Sequence, residues 1–112
     1  QLNQAMQTRE AMRIQVRTEL STDAQVIEGD INLAAGRFLV QAGAFGSFEN
    51  AKTLLNKLRP KSNYSSGIVM EGGLYKVRFG YFATAEEAVK CADEFMKTGT
   101  VVFVGVVSEK GR

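Results

Sequence analysis

Lys76 and Arg78 stand two residues apart in a stretch where Tyr75, Val77 and Phe79 take the alternate places, so a strand there presents both cations on one face. An ammonium beside a guanidinium suits charge-assisted hydrogen bonds to carboxylates. Gln41, in a similar alternating stretch, adds an amide that donates and accepts and can pair with another amide. Leu39 and Leu74 give the same face apolar ground on which a ring can rest.

Acid–base and nucleophilic chemistry is harder to assemble. The chain has no histidine and one cysteine, Cys91, which removes the commonest general base and excludes an internal disulfide or a cysteine-cluster metal site. Cys91 falls within the helical run 84–97 beside Ala88, Ala92 and Phe95 and reads as a structural thiol. Glu86, Glu87, Asp93 and Glu94 lie on a helix expected to be solvated, and Glu71 stands alone beside a glycine pair. Catalysis needs its groups converging in one pocket, and this set does not converge. The expectation is a binding module, not an enzyme, with no cofactor and no metal.

The elements that position these groups emerge when the chain is laid on itself with an offset of 37. Val40, Gly43, Phe45, Ser47 and Ala51 fall on Val77, Gly80, Phe82, Thr84 and Ala88, and Leu55 and Leu58 fall on Ala92 and Phe95. The shared pattern marks a duplicated supersecondary unit. In each copy a strand rich in β-branched and aromatic residues, 38–45 and 75–82, ends near a glycine. Ser47 and Thr84 follow as N-caps. The period then changes to helical, with Phe48, Ala51, Leu55 and Leu58 on one face of the first helix and Ala85, Ala88, Ala92 and Phe95 on one face of the second. Pro60 and Gly99 end the helices, and strands at 67–71 and 101–107 complete the copies. Gly72-Gly73 makes a tight hairpin between the second and third strands.

The predicted fold is α+β: a ferredoxin-like βαββαβ unit, four antiparallel strands in the order 4-1-3-2, two helices on one face and the other face open. Phe38, Val40, Ala42, Tyr75, Val77 and Phe79 should meet the helices, leaving Leu39, Gln41, Gly43, Leu74, Lys76 and Arg78 on the open side. An RNA-recognition motif shares the strand order but needs exposed aromatics on its central strands, which this assignment does not supply, so nucleic acid is not an expected partner. The last strand is apolar on both parities, so either the N-terminal segment covers it or Val102 and Val104 help line a groove; Phe103 fits either side.

Within the 112 residues there is room for one domain, and 45% hydrophobic residues is ordinary for a globular chain. Fourteen basic against twelve acidic side chains gives a net charge of +2, too little to name a polyanionic partner. The expected division is an N-terminal helical segment or linker over 1–36, the domain over 37–107 and a tail over 108–112. Residues 1–36 carry three basic and five acidic groups, so the excess of positive charge lies in the domain. From Leu2 to Leu20 most residues are good helix formers, which predicts a helical extension; 21–23 would break it, and 26–33 would pack on the domain or link to it. No run of about 18 apolar residues suggests a membrane span. The chain starts at Gln1, so it is expected to be a piece whose membrane anchor, if it has one, lies upstream.

Val40-Gln41-Ala42-Gly43-Ala44-Phe45 and Tyr75-Lys76-Val77-Arg78-Phe79-Gly80-Tyr81-Phe82 resemble the two signature strands of the SPOR domain, V-Q-x-G-S-F and Y-R-V-x-x-G-x-F. The resemblance covers 37–107. It implies a periplasmic or cell-envelope protein, in division, sporulation or envelope upkeep, that binds peptidoglycan glycan strands stripped of their stem peptides through the open sheet face. The family's binding positions fall here on Gln41, Ala44, Leu74 and Lys76, with Leu39 and Arg78 adjoining them. Ala44 replaces a common serine, Leu74 a common aromatic and Lys76 a common arginine, which weakens sugar stacking and planar carboxylate recognition. Stripped glycan exposes lactyl carboxylates, N-acetyl groups and apolar sugar faces, the complements of Lys76 and Arg78, of Gln41, and of Leu39 or Leu74. The alternative is a protein-interaction module whose open face or last strand's edge takes a segment of another envelope or division protein.

Overall fold

A computed structural model describes residues 16–20 and 24–108. Six strands form one sheet: β1 (Val16–Leu20), β2 (Gln25–Gly29), β3 (Phe38–Phe45), β4 (Ser66–Glu71), β5 (Leu74–Phe82) and β6 (Phe103–Ser108). Their order is β1-β6-β3-β5-β4-β2, so two strands from the N-terminal segment flank those of the duplicated unit. The sheet is therefore not the expected four-stranded one. It is antiparallel except where β1 runs parallel to β6.

The helical extension is corrected where it can be seen. Val16–Leu20 is a strand, with Val16 opposite Val104 and Leu20 opposite Ser108; the rest of that prediction, and the break at 21–23, lies outside the described residues. The physical reason is the alternation of Val16, Thr18 and Leu20 with Arg17 and Glu19, together with a long apolar edge on β6 that lacked a partner.

Helices α1 (Phe48–Leu58) and α2 (Ala85–Lys97) pack on one side of the sheet, and a short 3-10 turn, Arg59–Lys61, follows α1 at Pro60. Ser47 Oγ accepts from Asn50 N–H. Thr84 makes a reciprocal capping box, accepting from Glu87 N–H while Glu87 accepts from Thr84 N–H. The main core lies under these helices: Val40, Ile68, Val77, Phe79 and Val104 from the sheet meet Ala51, Leu55, Leu58, Ala88, Cys91, Ala92 and Phe95. Val102 and Val104 belong to this core and line no groove. Burial pushes the Cys91 thiol up to about 12, as expected for a sulfur embedded among apolar groups, with Glu94 adding to the rise.

A second, smaller cluster lies on the other side of the sheet. There Leu39, Val69 and Tyr81 are buried against Ile31, with Ala24, Leu33 and Val107 packed around them. The segment after β2 supplies this cover. Asp30 pins it to β4, donating its N–H to Ser66 O and accepting Ser66 N–H at its carboxylate, both at 3.0 Å. Lys52 of α1 pairs with Glu28 of β2.

Candidate functional site

The register of β3, β4 and β5 fixes what lies on the side away from the helices. Gln41 is directly opposite Arg78, and Arg78 is opposite Gly67; Lys76 is opposite Val69 on one side and Ala44 on the other. The parity expected for Leu39, Gln41, Lys76 and Arg78 is the observed one. Their exposure is not. Leu39 and Arg78 are 0% exposed and Gln41 is 5% exposed, so the open face predicted from the sequence is corrected to a largely covered one. The reason lies outside the duplicated unit, in residues 24–33, from which Ala24, Ile31 and Leu33 pack over this side.

Arg78 is the hub of a buried polar cluster. Its Nε donates to Gln41 Oε1 at 2.8 Å, its Nη1 to the Tyr81 hydroxyl at 2.8 Å and its Nη2 to Glu71 Oε1 at 2.7 Å. Lys76 Nζ donates to the same Glu71 oxygen at 3.3 Å. Each direction of the guanidinium fork thus meets an acceptor, which fixes its plane as a single point charge could not. Gln41 and Arg78 are equivalent under the offset of 37, so the pseudo-twofold relating the two copies passes between them. The duplication has diverged there into an acceptor and a donor that bond across the axis.

Ala44, Leu74 and Lys76 form the less covered end. Ala44 and Leu74 are exposed, and the Lys76 side chain keeps 14% of its surface open. A bulge after Gln41 makes this grouping. The register shifts between Gln41 and Gly43, so Gly43, expected on the open side, faces the helices near Leu54, and Ala44 is turned out beside Lys76. Gly72 and Gly73, with φ of 61° and 81°, close the hairpin next to Leu74 as a two-residue turn requires.

Two members of the cluster were not singled out as site residues from the sequence. Tyr81 was legible through the duplication, since the offset places it on Ala44, which was singled out. A second bulge, opposite Phe38 and Leu39, turns Tyr81 toward Arg78; Gly80 before it has φ 91° and Tyr81 itself φ 36°, a conformation that costs a bulky residue energy. Glu71 carried only the signal of an acid at the end of a strand, directly before the hairpin turn. Among the described residues no three His, Cys, Asp or Glu side chains gather as a metal site.

With this geometry established, comparison with known proteins becomes informative. A sequence model of the SPOR domain matches residues 34–105. The chain belongs to the SPOR domain family. The match takes in the duplicated unit and leaves β1 and β2 outside. Two relatives, both endolytic peptidoglycan transglycosylase RlpA, from Helicobacter pylori strains J99 and 26695, are each 35% identical over 79 residues. That stretch is 70% of this chain but spans only 24% of either relative. Among solved structures, the peptidoglycan binding domain of the B. subtilis cell wall lytic enzyme CwlC is similar with a TM-score of 0.59 and 30% identity over 69% of this chain and 96% of that one. The RlpA SPOR domain from Pseudomonas aeruginosa, at 24% identity and a TM-score of 0.50 over 60% of this chain and 95% of its own, shares the fold. No helix among the described residues of this SPOR domain is long and apolar enough to cross a membrane.

Proposed function

We propose that this SPOR domain is a non-catalytic module that binds peptidoglycan in the bacterial cell envelope, and that its ligand is the glycan strand freed of stem peptides. The observation that carries the reading is the family match over 34–105, joined to likeness with a peptidoglycan binding domain across 96% of that domain's length. Local chemistry agrees with it. Lys76 offers an ammonium to the lactyl carboxylates that stem-peptide removal uncovers, Leu74 an apolar rest for a sugar face, and Ala44 a surface without bulk beside them. Gln41 fixes Arg78, and Arg78 holds the Glu71 carboxylate that orients Lys76. The lone thiol, at about 12, is far from the thiolate that nucleophilic catalysis would need.

The competing reading, a partner strand added at the edge of β6, has less room, because β1 already pairs along that edge. Sedimentation with purified sacculi tests the proposal. The expected outcome is greater retention on amidase-treated sacculi than on peptide-bearing ones, lowered about tenfold in affinity by Lys76→Ala, which removes a charge-assisted contact. Equal retention on both materials, untouched by that substitution, would reject the stripped glycan as ligand.

A further inference from the structure

The covered face holds an arrangement that packing alone does not account for. Residues 30–36 form a compact loop, with Ala34 N–H bonded to Asn32 Oδ1 at 3.0 Å and Ala35 N–H to Asn32 O at 3.1 Å. This loop presents Ile31 to the sheet. The space over Gly67 is shared: a Cβ there would meet the Glu28 carbonyl oxygen of β2 first and Ile31 Cγ2 next, at 2.9 Å, and Gly67 is the cross-strand neighbour of Arg78. Ile31 therefore fills a hollow floored by a residue without a side chain and walled by Leu39, Val69 and Tyr81. Arg78 lies at the edge of that hollow.

A second observation bears on the same face, four residues farther along β4. Glu71 is 3% exposed, and while its Oε1 takes bonds from both Arg78 and Lys76, its Oε2 is buried with no hydrogen-bond partner. A buried carboxylate oxygen without a protein partner is costly and rare. The cover thus has a polar end, where Glu71 Oε2 has no protein partner, and an apolar end, where Ile31 is its most buried side chain and Leu33 packs beside it.

We propose that Ile31 is a built-in plug over the saccharide site, and that ligand and the 30–36 loop compete for the same face. This rests on the glycan-binding reading above and adds its regulation. Withdrawal of Ile31 would open the hollow beside Gly67 to an apolar part of the saccharide, such as an acetyl methyl. A hydroxyl or amide N–H of the ligand would then fill the vacant lone pairs of Glu71 Oε2, and Gln41 and Arg78 would become contact groups. The plug lowers the apparent affinity by the fraction of molecules in which it is seated.

Two measurements on the full chain test this. Ile31→Ser keeps the loop but removes most of its apolar grip, so affinity for amidase-treated sacculi should rise about tenfold over the parent, as the seated fraction falls. In the parent, soluble stripped glycan fragments should speed hydrogen exchange at the Asp30 and Ala35 amides while leaving β3 and β5 protected. That second readout decides the matter if the variant folds poorly. Binding of the parent with unchanged or slower exchange at Asp30 and Ala35 would overturn the plug and leave the glycan-binding reading standing. Binding of neither protein to treated sacculi would overturn both.

Discussion

The two sides of the central sheet are built from the same strands and obey different chemistry. Toward the helices, Val40, Val77 and Phe79 belong to the apolar core, and the Phe79 and Phe95 rings pack with centroids 4.7 Å apart and planes tilted by 55°. Away from the helices, their immediate chain neighbours Leu39, Gln41 and Arg78 are also buried, yet two of the three are polar and are hydrogen-bonded to each other, with Arg78 bonded in addition to Tyr81 and Glu71. Burial on the first side is simple removal of apolar surface from water. On the second side it requires a partner for each polar atom, and stabilises little once desolvation is counted. A face assembled at such cost is arranged for orientation, which is what a binding surface needs.

Adjacent substitutions on β5 break this comparison most sharply. Phe79→Ala should cost about 3–5 kcal/mol through the cavity it leaves. Arg78→Ala should cost a similar amount, about 3–5 kcal/mol, because it leaves the buried Glu71 carboxylate to Lys76 alone and takes the donor from Gln41 and Tyr81. Urea unfolding measures both, and a second change separates their causes. Adding Glu71→Leu to Arg78→Met removes donor and acceptor together and should recover most of the loss, since a buried ion pair replaced by apolar groups of similar volume is often neutral. Recovery absent from that double variant would mean that the polar cluster itself contributes large stability.

A smaller effect distinguishes the two copies of the duplicated unit on the helix side. Thr84 and Glu87 satisfy two backbone N–H groups reciprocally, whereas Ser47 satisfies one, at 3.3 Å. Thr84→Ala is expected to cost about 1 kcal/mol and Ser47→Ala nearer 0.5 kcal/mol by thermal or urea unfolding. Equal losses would show that the capping box adds nothing over the single bond.

How far the sequence disclosed this molecule follows from the same contrast. The helix-side core was legible because it is periodic: Ala51, Leu55 and Leu58, and Ala88, Ala92 and Phe95, repeat at helical spacing and recur after 37 residues. Strand parity was equally plain at Leu39, Gln41, Lys76 and Arg78. It failed at Gly43, where a bulge adds a residue that alternation cannot anticipate. The cover was not legible, since Ile31 and Leu33 carry no pattern that announces where they pack. Val16–Leu20 was hidden by averaging: good helix formers before it outweighed five residues of alternation. Exposure of the candidate site thus depended on the part of the chain with the weakest periodic signal.

The effect that is smallest near neutral pH tests the helix side alone. Cys91, buried beneath the helices, has its thiol raised from 9.0 to about 12. The native protein therefore keeps this proton at a pH where the unfolded chain has begun to release it. Stability from this group is fully present below pH 9 and is lost as pH rises from 9 toward 12. At pH 9 the loss is only a few tenths of a kcal/mol, growing toward about 1.4 kcal/mol for each further pH unit. Tyr64, raised from 10.0 to about 12 by burial and by its hydrogen bond to Glu94, acts in the same direction at somewhat higher pH. Unfolding curves at pH 8, 9 and 10 for the parent and for Cys91→Ala isolate the thiol, because the tyrosine is common to both. A parent curve that falls no faster than that of the variant would place Cys91 in contact with water, and the apolar packing assigned to this side of the sheet would have to be looser than drawn.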